Sequence, residues 1–236
     1  DADCDGVVDS PNTFYLASNG VTVICPNAIV GDTGVVDGIT YTKQDIAGLD
    51  SLVGAQDWNA ISTSCTSDIT DMSYLFEGEL SFNEDIGHWD TSSVTTMEGM
   101  FKNARAFNQD VSDWDISAVS NISSMFDLAV DFNQNIGSWD TGAVTTMHRF
   151  ISNSIFNQDI GGWDTSSVID MSYTFVYMPD FNQDLNWDTS NVETMEGMFS
   201  SCTSFDGDIS NWDTSNVTTL KKTFYNASTF NQDISS

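Results

Sequence analysis

Positive charge is what this sequence has least of. Six Lys and Arg residues stand against 35 Asp and Glu in 236 residues, for a formal charge of −29. With no basic stripe to displace counterions, the chain is excluded from nucleic-acid binding. The same scarcity excludes attraction to anionic membranes. Histidine is nearly absent too, with only His88 and His148, which occupy different repeat positions and read as surface variation. No H-E-x-x-H, P-loop, G-x-G-x-x-G or G-x-S-x-G pattern occurs, so the common hydrolytic and nucleotide-binding chemistries have no residues to carry them. A glycosidase pair needs one carboxylate held in an apolar pocket, whereas repeated acids share similar surroundings; the chain reads as a non-enzyme. No apolar run is long enough to span a bilayer, so direct membrane insertion is not expected. No signal peptide is visible. The chain starts mid-motif at Asp1 and stops mid-repeat at Ser236, so it reads as a fragment of a longer secreted protein.

What is present is enough for a core: 40% hydrophobic and 12% aromatic residues. The seven tryptophans, Trp58, Trp89, Trp114, Trp139, Trp163, Trp187 and Trp212, recur at spacings of 31, 25, 25, 24, 24 and 25. An internal period of this length marks a repeat architecture. The unit reads F-N-Q-D-I-G-x-W-D-T-S-x-V-T-x-M-x-x-M-F, with copies starting at Phe82, Phe107, Phe132, Phe156, Phe181 and Phe205 and a broken one at Phe230. The longer first spacing holds an insertion around Cys65, where a terminal cap would deviate from the repeat. Apolar residues fall in columns, such as Val94, Val119, Val144, Val168, Val192 and Val217, which stacked units can bury and a single unit cannot. F-N-Q-D-I reads as a short strand. V-T-x-M-x-x-M-F, apolar at i, i+3 and i+4, reads as about one helical turn, with Thr95 and Glu98 as its capping box. The expected fold is an α/β repeat: a right-handed leucine-rich-repeat solenoid of short parallel strands and short helices. The expected divisions are 1–12, an acidic calcium-loop segment; 13–81, a cap and first partial repeat; and 82–236, the array.

The repeat closely resembles the BspA-like leucine-rich-repeat surface proteins, and Asn19–Thr42 resembles the cap that often precedes such repeats. The resemblance spans roughly residues 19–236. It implies surface display, adhesion and protein recognition, with no catalytic residues.

Two sets of acids are candidate calcium ligands. Asp1, Asp3, Asp5, Val7, Asp9 and Asn12 follow the D-x-D-x-D-G-x-x-D spacing of a calcium loop, with Gly6 at the sharp turn and Asn12 where an EF-hand has its bidentate Glu. The segment resembles thrombospondin type-3 acidic repeats; the plain alternative is a flexible acidic terminus. The second set is a column, Asp85, Asp110, Asp159, Asp184, Asp208 and Asp233, interrupted by Asn135. A further acid follows each tryptophan from Trp89 on: Asp90, Asp115, Asp140, Asp164, Asp188 and Asp213. Carboxylates stacked about 4.8 Å apart repel by about 1 kcal/mol in water and more at lower dielectric. Turn hydrogen bonds or calcium ions must offset that. Turn chemistry is favoured for the post-tryptophan column, and the other column stays open. The column from Asn83 and Asn108 to Asn231 reads as a structural amide ladder, and the tryptophans as a buried spine. Cys202 replaces alanine in a small-residue column and reads as a buried thiol. In an oxidising compartment Cys25 and Cys65 would tie the cap to the first coil, while Cys4 stays free or competes with Cys65 for Cys25.

The functional expectation is a secreted or cell-surface adhesion and protein-recognition module. Ca2+ would stabilise the fold or bridge surfaces, with an extracellular protein or cell-surface ligand as partner, or a calcium-mediated homo-oligomer. The alternatives are a passive structural spacer and a carbohydrate-binding module with exposed tryptophan rings.

Overall fold

A computed structural model describes residues 14–234. The N-terminal part is built from hairpins. Strand β1 (Tyr15–Leu16) pairs antiparallel with β2 (Val23–Ile24) across a turn in which Asn19 Oδ1 accepts from the Val21 and Thr22 amides. Strand β3 (Thr33–Val36) pairs with β4 (Ile39–Lys43) through Asp37 and Gly38, both at positive φ, as a two-residue primed turn requires. Strand β4 then runs parallel to β5 (Ser64–Cys65). Between them lie the two helices, α1 (Ile46–Ala55) and α2 (Trp58–Ile61). Asp45 caps α1 by accepting from the Gly48 amide, Gln56 ends it in the left-handed conformation, and Asp57 caps α2. Helix α1 lays Leu49 and Val53 against the first coil of the array and closes that end of the core. The buried Lys43 ammonium is satisfied by the Cys25 and Ser67 carbonyls and by Asp68 Oδ2 at 2.9 Å.

Beyond this cap the repeats stack, but not as the expected leucine-rich-repeat solenoid. Among the described residues no repeat contains a helix, and both helices belong to the cap. Regular strand in the array shrinks to the two-residue parallel pair β6 (Phe126–Asp127) and β7 (Ile151–Ser152). F-N-Q-D-I forms no strand, and V-T-x-M-x-x-M-F forms no helix. Successive coils are instead bridged in parallel at one position, from Asp71 to Thr96, Asn121, Thr146, Asp170, Thr194 and Thr219.

The physical reason lies in the backbone after each bridge. Two positions four residues apart sit in the left-handed region in every coil: Tyr74 and Gly78, Gly99 and Asn103, Ser124 and Leu128, Arg149 and Asn153, Tyr173 and Tyr177, Gly197 and Ser201, Lys222 and Asn226. Each such residue breaks the run of right-handed residues that a helix needs. Alternate amides are thereby aimed at the next coil. Met97, Gly99, Phe101 and Asn103 donate to the carbonyls of Asn121, Ser123, Met125 and Asp127, while Met100, Lys102 and Ala104 donate three residues back in their own coil. The same pattern repeats at all six junctions, from Met72 to Tyr225. The i, i+3, i+4 apolar spacing comes from these chained turns. The Thr95–Glu98 capping box is absent, and Thr95 Oγ1 donates to the Thr70 carbonyl of the preceding coil instead.

The apolar columns form one continuous core. Phe82, Phe107, Phe132, Phe156, Phe181, Phe205 and Phe230 stack coil on coil with ring centroids 5.8 to 6.5 Å apart. Such aromatic pairs contribute about 0.5–1.5 kcal/mol each beyond area burial. Cys202 is a buried free thiol, and burial pushes its pKa up to about 12.

Candidate functional site

The residues common to every repeat are consumed by stacking. Each asparagine of the N-Q-D triplet accepts, through Oδ1, the amide of its counterpart one coil on, as Asn83 does from Asn108 at 2.9 Å. The ladder continues through Asn108, Asn133, Asn157, Asn182 and Asp206 to Asn231. Glutamine side chains brace it, Gln134 Nε2 donating to the Asn108 carbonyl at 2.8 Å. Five indoles do the same: Trp114, Trp139, Trp163, Trp187 and Trp212 each donate Nε1–H to a carbonyl of the preceding coil at 2.9–3.1 Å. Trp89 to Trp212 are all buried, so this column offers no ring face on which a sugar could stack.

The predicted calcium column is exposed, and its carboxylates hold the chain. Asp85, Asp110, Asp159 and Asp208 each accept the amide two residues on, at 2.9–3.0 Å, and Asn135 does likewise. Asp184 Oδ1 accepts from the Asp208 amide of the next coil at 2.9 Å. Asp233 ends the same column. The post-tryptophan acids behave alike. Asp164 Oδ1 takes the Ser166 amide at 3.0 Å and its hydroxyl at 2.6 Å, and Asp115 does the same with Ser117. The Ser166, Ser190 and Ser215 hydrogen bonds hold Asp164, Asp188 and Asp213 below the usual carboxylate range, even though the Asp188 charge pushes both its column neighbours up. Local hydrogen bonding therefore outweighs column repulsion. Among the described residues no group of three or more His, Cys, Asp or Glu comes together to hold a metal ion. Asp1, Asp3, Asp5, Val7, Asp9 and Asn12 lie outside the described residues, as does Cys4. Cys25 and Cys65 are joined by a disulfide that links the β1–β2 hairpin to β5.

What varies from coil to coil is the face built by the left-handed positions and their neighbours. Lys102, Arg149, Lys221 and Lys222, four of the six cations, lie here, together with His148, Tyr74, Tyr173, Tyr177 and Tyr225. Several bulky side chains occupy left-handed positions that glycine or asparagine would adopt with less strain: Tyr74, Arg149, Tyr173, Tyr177 and Lys222 have φ between 52° and 62°. Some of them staple coils. The Tyr74 ring lies over Gly99 with its hydroxyl on Glu98, a bond that pushes its pKa up to about 12. Tyr173 lies over Gly197 and donates to Glu196 Oε1 at 2.7 Å, which also accepts from Lys221 Nζ at 2.9 Å. Arg149 forks onto the buried Asp127 through Nε at 3.2 Å and Nη2 at 3.0 Å. His148 Nδ1 lies 2.7 Å from Ser172 Oγ. Others are free: Tyr177 is 55% and Tyr225 63% exposed, with Lys222 Nζ 5.8 Å from the Tyr225 ring centre. The face thus mixes balanced charge with exposed tyrosine on a molecule that is acidic elsewhere. Sequence reasoning followed the constant columns and passed over this face. Its signal was available: glycine or asparagine at 78, 99, 103, 153, 197 and 226 marks the same two positions of the repeat.

His88 is half-buried between cap and array rather than a free surface variant. Its Nε2 meets the Ser64 carbonyl at 3.1 Å, and its own carbonyl accepts from Val23 at 2.8 Å. No helix of the described residues is long and apolar enough to cross a membrane.

The family described as "Mycoplasma protein of unknown function, DUF285" matches residues 49–155 and again 148–236. No curated protein and no solved structure matches the chain.

Proposed function

The chain belongs to this DUF285 family, the general Mycoplasma-type surface repeat group in which the BspA-like resemblance places it, and from that premise we propose a surface-displayed adhesion and protein-recognition module. Its binding face is the variable one, centred on Tyr177, Tyr225 and Lys222 and flanked by His148 and Arg149. One observation carries this reading. Many shared residues are spent on coil-to-coil hydrogen bonds, while Tyr74, Tyr177, Tyr225 and four of the six cations are gathered on one face whose residues differ from repeat to repeat. Tyrosine and arginine are the residues that most often anchor protein interfaces, and strained backbone tends to gather at functional positions. The face is also the natural line of approach for another protein, because elsewhere exposed acids dominate and would repel most cell surfaces within about a Debye length, about 8 Å at physiological salt.

Calcium enters the proposal first through residues 1–12; the Asp85 column is the lesser candidate, since Asp85, Asp110, Asp159 and Asp208 each already accept a backbone amide. Neither the acidic segment nor its thrombospondin type-3 resemblance falls within the family match, which begins at residue 49.

Beads coated with the chain, applied to a panel of cultured-cell surfaces, test the proposal. Adhesion should fall by about tenfold or more for the double variant Tyr177→Asn, Tyr225→Asn, the loss of about 1.4 kcal/mol or more expected when interface anchors are removed. It should be unchanged for Asp110→Asn, Asp159→Asn. Equal adhesion by both variants would refute the assignment of the face.

A further inference from the structure

Two polar groups break the pattern that the rest of the stack obeys. Among the described residues, Trp89 Nε1 and Thr91 Oγ1 are the only buried side-chain polar atoms without a hydrogen-bond partner. Their counterparts are paired. Trp114 and the four later tryptophans donate to a carbonyl of the preceding coil. Thr66, Thr141, Thr165 and Thr189 donate to an Asp carbonyl of the next coil at 2.8–3.0 Å. Trp89 has no earlier F-N-Q-D-I stretch to donate to, because the copies begin at Phe82. Such orphans are rare in folded chains and call for an explanation. Both residues line one cleft of about 190 Å³, between the 17–22 turn of the β1–β2 hairpin and the array. Asp90 lies in the same wall and is 6% exposed, its Oδ2 accepting from Ser67 Oγ at 2.5 Å and its Oδ1 from Ser92 Oγ at 2.6 Å. Asp113 and Asp115 line the cleft as exposed residues. Asp113 has no hydrogen-bond partner among the described residues, and Asp115 spends only Oδ1, on Ser117.

We infer that this cleft is a binding site for a single sugar residue, held through its hydroxyl groups. The donors and acceptors in the wall select that class. An indole N–H can only donate, so the occupant must bring an acceptor. Ionised carboxylates can only accept, so it must also bring donors. Three acids around the cleft repel an anion, and an ammonium group has no acceptor to offer the indole. A hydroxyl accepts and donates at once, and a sugar carries several. At about 30 Å³ per water, the cleft has room for about six waters, which suits one sugar ring rather than a chain. The tryptophan faces stay buried and take no part, so the ring is held at its edge and not stacked. None of these residues belongs to the variable face, so the site is separate from the protein-recognition surface.

The test titrates the full chain with the methyl glycosides of glucose, galactose, mannose and N-acetylglucosamine, and follows the indole N–H signals by NMR. Trp89→Phe identifies the Trp89 signal by its loss. That signal should shift saturably with at least one glycoside, while those of Trp114 to Trp212 stay in place. Thr91→Val separates binding from folding. It should weaken binding by about fivefold to tenfold, the loss of one hydrogen bond to the ligand. It should leave the free chain as stable as before or more so, because the hydroxyl it removes has no partner there. Thr165→Val should do the reverse, lowering the urea midpoint by orphaning the Asp188 carbonyl and leaving binding unchanged. A saturable shift with none of the four glycosides overturns the inference, as does a shift shared equally by all the indoles. So does a saturable shift with methylammonium or acetate alone, since that would make the cleft an ion site. Water cross-peaks at the Trp89 N–H that no glycoside displaces would assign the cleft to ordered water and overturn it equally.

Discussion

Replacing Gly99 with alanine probes the coil-on-coil arrangement at a point where two effects can be separated. Gly99 has φ +60°, and a Cβ built there would lie 2.5 Å from both Cδ1 and Cε1 of Tyr74 in the preceding coil. The left-handed backbone alone costs an alanine about 1–2 kcal/mol, partly offset by a stiffer unfolded chain, for a net of about 1 kcal/mol. Displacing the Tyr74 ring adds the usual overpacking cost of about 1–3 kcal/mol. Gly99→Ala should therefore destabilise by about 2–4 kcal/mol, a fall in Tm of about 4–16 °C for a chain of this size. In a Tyr74→Ala background the ring is gone and only the backbone part remains, about 1 kcal/mol. Urea denaturation of the four proteins of this cycle gives a coupling energy of about 1–3 kcal/mol if the account holds. Gly162→Ala, whose new methyl meets nothing within 4 Å, serves as the neutral control. Strict additivity of Gly99→Ala and Tyr74→Ala would show that the two residues are not stacked, and would refute the reasoning.

Trp187→Phe keeps most of the ring but orphans the Ile160 carbonyl, which the indole N–H meets at 2.9 Å; chemical denaturation should show a loss of about 1–3 kcal/mol. Acid should loosen the cap. Burial lowers the His88 pKa from 6.5, with the Ser64 carbonyl and Asp85 opposing it, so the neutral ring's contribution is complete above pH 6.5 and is lost as pH falls through the lowered value. Protection against hydrogen exchange in β1–β2 and β4–β5, taken relative to the intrinsic exchange rate at each pH, should accordingly fall between pH 7 and pH 5, and His88→Gln should remove that dependence. Calcium, titrated against a magnesium control, should raise the thermal midpoint or the particle size of the chain with residues 1–12 and leave a chain starting at residue 13 unaffected. An equal response in both would move the calcium site into the array.

Much of the stack was legible because stacking demands sameness. A residue that bonds to its own counterpart one coil away must recur at a fixed interval, so the Asn83-to-Asn231 ladder, the buried tryptophans and the phenylalanine column could all be read from the period. Local conformation was not, because the apolar pattern Met97, Met100, Phe101 suits two backbones. A helical turn places them on one face, and so does a chain of turns broken by left-handed residues at 99 and 103. Periodicity cannot separate these; the recurrent glycine and asparagine can, since they tolerate positive φ. F-N-Q-D-I misled for a related reason: its cross-coil bonds run through the asparagine side chain rather than through a strand ladder. The Asp85 column was left open because its acids look alike whether they hold ions or turns; the hydrogen bonds they accept from residues such as Gly87 and Ser112 add a turn role that the sequence could not distinguish. The variable face escaped notice because a recognition surface is defined by differences between repeats, which a search for repeats sets aside.

The turn ladder underlies both the coil interfaces and the strained, outward side chains, and the acceptor of one amide tests it. Phe101 N–H donates across the junction to the Met125 carbonyl at 2.9 Å. In a helical repeat it would donate to Met97, four residues back. A through-hydrogen-bond scalar coupling measured from the Phe101 amide should appear at the Met125 carbonyl; a coupling at the Met97 carbonyl would contradict the account.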